Sequence, residues 1–196
     1  MTTPRRLIVG ISGASGVIFG VRALERLRGA GIETHLVMSQ AAKVTLAHET
    51  DYKVAQVEAL ASAVHRADDI GASISSGSFP TLGMLVAPCS IKSLSEIAAG
   101  TTSGLLARAA DVALKERRRV VLMVRETPLH AGHLRSMLAV TEMGAIVAPP
   151  VPAFYGRPAD LEAVIDHSVG RVLDLFGLEV GGVHRWSGTR EHGAGR

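Results

Sequence analysis

Short apolar runs alternate with helical stretches along this chain. Residues 7–11 (LIVGI) are almost continuously apolar, as expected of a strand covered on both faces of a parallel sheet. The next stretch changes period. Val17, Val21, Leu24 and Leu27 fall on one helical face, and Arg22, Glu25, Arg26 and Arg28 on the other. Gly29 and Gly31 end that helix. The same reading predicts strands over 33–39, 83–90, 119–124 and 145–150, and helices over 40–47, 91–99, 104–114, 130–143 and 159–176. Residues 54–64 have helical composition, 70–74 (IGASI) read as a short strand, and 75–80 as a loop. Beyond Gly177 the chain is rich in glycine and charge and reads as a loose tail. Residues 1–178 are therefore expected to form one domain, with 179–196 as a C-terminal tail.

A βαβα alternation predicts an α/β fold, with a mainly parallel sheet between two layers of helices. Ligands in such open sheets bind beyond the carboxyl ends of the strands. That rule singles out five places: 12–16, Ser39, 89–93, 125–128 and 149–155.

Composition narrows the functional classes. A length of 196 residues suits one core, and with only 4% aromatic residues that core must be built from Ala, Val, Leu and Ile. The net charge of +3 gathers at 115–119 (KERRR) and in the tail. No aromatic residues interleave with the run at 115–119, which argues against nucleic-acid binding. The single cysteine, Cys89, fits a reducing compartment, and no apolar run reaches the length of a membrane span. A cytoplasmic protein off the membrane is expected. The eight histidines show no metal-ligand spacing with carboxylates, so no metal is expected.

The strand ends hold more polar residues than plain connections need. The turn after the first strand spaces its glycines as Gly10, Gly13 and Gly16, unlike the dinucleotide pattern G-x-G-x-x-G. The second strand ends in Ser39, not in an acid that would grip a ribose. A mononucleotide fits better than NAD, and a tight turn with no ligand stays open. Ser90 and Ser93 open a helix, either as phosphate contacts or as plain caps. Arg125 and Glu126 are either an ion pair or an anion contact beside a proton donor.

Taken in order, seven motifs resemble the UbiX-type flavin prenyltransferases: ISGASG (11–16), ETD (49–51), SGS (76–78), APCSIKSLSEIAAG (87–100), RAADVALKERR (108–118), VRETP (124–128) and PPVPAFY (149–155). The resemblance implies a Rossmann-like three-layer αβα sandwich in a homo-oligomer, commonly a dodecamer, with sites at subunit contacts. It implies metal-independent transfer of the dimethylallyl group of dimethylallyl phosphate to N5 and C6 of reduced FMN. The product, prenylated FMN, would serve a UbiD-type decarboxylase. By motif, Gly13, Ala14, Ser15, Ser39, Ser90, Ile91, Lys92, Ser93 and Arg125 would hold FMN. Arg108, Lys115, Tyr155, Arg171 and Trp186 would meet the prenyl phosphate, with Ser15, Glu49 and Glu126 moving protons. The chain departs from the common pattern at Gln40, Ile91 and Lys92. Two other readings compete with this one. A cysteine-peptide or phosphopantothenoylcysteine decarboxylase is disfavoured by PCSIKS (88–93) in place of its PASANT-like segment. A non-catalytic flavin-binding partner subunit would not need Arg108, Lys115, Glu126 and Tyr155 together.

Overall fold

Successive side chains of a strand point to opposite faces, so a strand apolar at every position demands cover on both sides. The computed structural model, which describes residues 5–181 and 183–185, supplies that cover. Its sheet contains β1 (Arg6–Ile11), β2 (Glu33–Met38), β3 (Ala63–His65), β4 (Gly83–Cys89), β5 (Arg119–Val124) and β6 (Ile146–Val147). The strands are parallel and ordered β3-β2-β1-β4-β5-β6. Seven helices connect or flank them among the described residues: α1 (Ile18–Gly29), α2 (Gln40–Glu49), α3 (Val54–Glu58), α4 (Ile91–Ala99), α5 (Leu105–Lys115), α6 (Ala131–Glu142) and α7 (Leu161–Asp174).

Period two divides the core. Leu7, Val9 and Ile11 of β1, with Leu36, Leu85 and Val121, face α1 and α7. Ile8, Val37, Met84, Val86 and Leu122 face α4 and α5 on the other side. Burying each large aliphatic side chain contributes roughly 1.5–3 kcal/mol against chain entropy. Gly20 lets α1 lie directly on β4, since a Cβ there would meet the Ala87 carbonyl oxygen at 2.3 Å. Arg22 and Arg26 of α1 pair with Asp166 of α7 and so link these two helices.

The structure corrects four expectations. Helix α3 ends at Glu58, and Ala63–His65 pairs with β2 as an edge strand. A three-residue strand is too short to display alternation, so its partner decides it. Residues 70–74 form no strand. A turn leads into a 3₁₀ helix at Ser73–Ser75, with Ile70 exposed and Ile74 buried. The tail is not loose at its start: Leu178 is buried in the α1/α7 core, and Val183 fills the space over Gly170. Strand β6 stops at Val147, and Pro149 and Pro150 just beyond it have no N–H to extend the ladder.

Candidate active site

The strand order reverses between β1 and β4, and connections leave these two strands for opposite sides. Ser12 closes this point. Its buried hydroxyl donates to the Pro88 carbonyl at 2.8 Å and accepts the Ser90 N–H at 2.7 Å. The Ala87–Pro88 bond is cis.

After Ser12 the chain makes its glycine turn. Gly13 is demanded by contact: a Cβ there would meet the Ala41 Cβ of α2 at 2.3 Å. Gly16 has φ of +90°, a conformation that favours glycine. The Glu49 carboxylate, at the end of α2, accepts the N–H of Gly16 at 2.7 Å and of Val17 at 3.4 Å. Ala14 is half-buried, and Ser15 stands exposed at the crest of the turn.

Two helix N-termini converge here. Ser39 caps α2 by accepting from the Ala42 N–H at 3.0 Å. Ser90 caps α4 by accepting from the Ser93 N–H at 3.2 Å, and its hydroxyl donates to that of Ser93. Both serines are thus helix caps, and both also line a cavity of about 500 Å³ with Gly13, Lys92, Ser93 and Ala107. Helix N-termini present free N–H groups and a positive dipole end to an anion. The serine hydroxyls and the apolar Leu106 and Ala107 wall give this cavity both the polar and the apolar surfaces that a flavin mononucleotide presents. Ile91, half-buried, opens α4, and Lys92 reaches Glu96 at 3.6 Å.

A second cavity, of about 300 Å³, lies beside the ends of β5 and β6 and shares no lining residue with the first. Tyr155, His167 and Arg171 line it, with Met123, Ala148 and Pro150. Arg171 donates to Asp174 at 2.8 Å, and Arg185 donates to the same carboxylate. Arg125 and Glu126 are exposed at the end of β5. They form no ion pair with each other among the described residues; Glu126 accepts the Thr127 N–H at 3.1 Å.

Arg108 and Lys115 line neither cavity. Arg108 donates to Asp111 on its own helix at 2.7 Å. Lys115 pairs with Glu116 beside Gly77, at the amino edge of the sheet where β4 begins. Within one chain, therefore, neither cation is part of the lining of these two cavities. Trp186 lies outside the described residues. No group of three or more histidine, cysteine or acidic side chains among the described residues is placed to hold a metal ion. Burial raises the Cys89 thiol to about 12, so it is an inert core side chain. Reading the sequence missed Ser12 as the link between β1 and β4. It also missed His167, whose spacing of four from Arg171 on one helix was the available signal.

Fold and site together define a mononucleotide-binding α/β protein, and the comparisons say which. The family model described as Flavoprotein matches residues 1–173. A flavin prenyltransferase UbiX from Thauera aromatica is 57% identical over 186 residues, covering 95% of this chain and 96% of the relative. The crystal structure of AnUbiX (PadA1) in complex with FMN and dimethylallyl pyrophosphate superposes with a TM-score of 0.94 at 51% identity, covering 96% of this chain and all of that one. A dodecameric FMN-dependent UbiX-like decarboxylase from Escherichia coli O157:H7 gives 0.91, also at 51% identity, covering 93% and 100%. The chain belongs to the Flavoprotein family, and within it to the UbiX-type flavin prenyltransferases.

Proposed function

We propose that this enzyme joins the dimethylallyl group of dimethylallyl phosphate to N5 and C6 of reduced FMN and releases prenylated FMN for a UbiD-type decarboxylase. The observation that carries this reading is the pair of cavities at the carboxyl edge of the sheet. One is floored by the Gly13 turn and two capped helix N-termini, and the other holds Tyr155 and Arg171. The relative solved with FMN and dimethylallyl pyrophosphate supports it.

In this reading Gly13, Ala14, Ser15, Ser39, Ser90, Ile91, Lys92, Ser93 and Arg125 bind and orient the flavin. When bound, reduced FMN supplies the electron-rich nitrogen and carbon that accept the prenyl group. Phosphate is a poor leaving group from carbon, so the site must supply positive charge and a proton. Arg171 and the Tyr155 hydroxyl meet the phosphate. Arg108 and Lys115 add charge from a neighbouring subunit, because their own chain holds them away from its cavities. Glu126 donates a proton to the departing phosphate, and Trp186 and Tyr155 offer π-faces to positive charge on the allyl carbons. Glu49 holds the turn through Gly16 and Val17 and takes up the N5 proton through Ser15.

A homo-oligomer, in this reading a dodecamer as in the E. coli O157:H7 relative, follows from the same need. Exposed Leu134 and Leu138 of α6, with Val151, Phe154 and Leu161, supply apolar surface for such contacts. We place the enzyme in the cytoplasm, on the evidence of its single, buried, unpaired cysteine. No helix of the described residues is long and apolar enough to cross a membrane. The test is parallel anaerobic incubation of the protein and reduced FMN with dimethylallyl phosphate or the pyrophosphate. Transfer from the monophosphate supports the assignment. Transfer from the pyrophosphate alone, or from neither, refutes it.

A further inference from the structure

His167 stands one helical turn before Arg171 on α7, and both line the Tyr155 cavity. Its Nε2 lies 3.3 Å from the Tyr155 hydroxyl, and the two rings meet edge to face with centroids 5.7 Å apart. The Tyr155 hydroxyl also lies 3.5 Å from the His184 carbonyl oxygen. We propose that His167 takes up a proton when the phosphate of the prenyl donor enters this cavity, which fixes the direction of the Tyr155 hydrogen bond and adds a positive charge beside Arg171. The proposal rests on reading this cavity as the prenyl-phosphate site.

A neutral imidazole can either accept from the Tyr155 hydroxyl or donate to it, depending on its tautomer. A protonated one can only donate. The phenol oxygen then accepts from His167, and its own hydrogen is directed onward to another acceptor, such as a phosphate oxygen. His167 thereby acts on the phosphate through Tyr155 as a positioning residue, as well as by its charge.

The groups around His167 keep it ready to respond. Burial first, then the charges of Arg171 and His184, lower its pKa below the ordinary imidazole value, and Asp174 opposes them. Asp174 is itself engaged by Arg171 and Arg185. On the same helix, Asp166 faces away to Arg22 and Arg26, and Glu162 to Arg22. These surroundings favour the neutral imidazole before the ligand enters. A phosphate monoester brings about 1.5–2 negative charges at pH 7, enough to raise the pKa of a neighbouring imidazole and draw in a proton.

The experiment is calorimetric binding of dimethylallyl phosphate to protein loaded with oxidised FMN, where no transfer occurs. Wild type and His167→Gln are compared at pH 6, 7 and 8, in buffers of different ionisation enthalpy. Glutamine keeps a hydrogen-bonding partner for Tyr155 but cannot titrate, and the phosphate's own protonation is common to both proteins. Wild type should take up more protons per ligand than the variant. The ratio of variant to wild-type Kd should grow severalfold from pH 8 to pH 6, within the limit of about tenfold that a one-unit rise in the pKa of His167 on binding sets. In turnover with reduced FMN, the variant should raise KM at low pH and leave kcat less affected. Equal proton uptake and a Kd ratio independent of pH would overturn the proposal while leaving the cavity as the phosphate site. If wild type itself fails to bind dimethylallyl phosphate, the site reading falls, and the proposal with it.

Discussion

Replacing Gly13 with alanine should weaken FMN binding sharply, and a second change should restore part of it. The new Cβ would sit 2.3 Å from the Ala41 Cβ, and 3.2 Å and 3.3 Å from the backbone carbons of Ala41. Carbon atoms pack best at about 3.5–4.0 Å, so the turn and the start of α2 must part by more than about 1 Å. Overpacking of this kind costs roughly 1–3 kcal/mol. For a domain of this size that corresponds to about 2–12 °C in Tm. The larger loss falls on the ligand, because Ser39 and the α2 N-terminus move away from the cavity they share with Gly13. Adding Ala41→Gly removes the 2.3 Å contact and leaves only the two milder ones, at about 1 kcal/mol for glycine in a helix. The assay is FMN titration by flavin fluorescence together with thermal unfolding, on both variants. If Gly13→Ala binds FMN and melts like wild type, the tight turn-to-helix contact does not set the geometry of the flavin site, and the reasoning fails. If the double variant recovers nothing, the contact with Ala41 is not the cause.

Three further outcomes follow from the structure. Ser12→Ala leaves the Ser90 N–H without its partner at the junction of β1 and β4, and should cost roughly 1–3 kcal/mol in urea unfolding and loosen FMN; unchanged stability would refute the linking role. Glu126→Gln should retain FMN and slow single-turnover prenylation by about 10²–10⁴, whereas a wild-type rate and pH profile would make Glu126 structural. His65, hydrogen-bonded to His35 at 2.9 Å, has its pKa lowered by burial and then by His35. Its contribution to stability is therefore full above about pH 6.5 and lost as pH falls toward its lower folded value. Thermal melts from pH 7.5 to 5 should decline more steeply for wild type than for His65→Gln, and parallel declines would contradict this.

How much of this was legible in the sequence depends on where each signal resides. Strands β1, β4 and β5 are apolar over almost their full length because both faces are covered, so their runs stand out locally, and β2 shows the same signal only in its second half, Leu36–Met38. Helix α1 announced itself by a period of 3.6, and its charged face is the one that meets Asp166 and Glu162 of α7. Strand β3 was invisible because its three residues are strand only through β2. At the site, the residue types at the strand ends could be read, since topology sends ligands there. The bonds that order them could not. Ser12 joins Pro88 and Ser90 across 76 and 78 residues of sequence, and Glu49 reaches back 33 residues to Gly16. Adjacency in sequence left open either an ion pair between Arg125 and Glu126 or an anion contact beside a proton donor, and only the fold shows Glu126 turned to the Thr127 N–H.

Anaerobic incubation of the purified protein with equimolar reduced FMN and dimethylallyl phosphate, followed by mass spectrometry of the extracted flavin, tests the central claim most directly. The account predicts that the flavin gains the mass of one dimethylallyl group in place of one hydrogen, with one inorganic phosphate released per flavin modified. Recovery of unmodified FMN from protein shown to bind both molecules would contradict it.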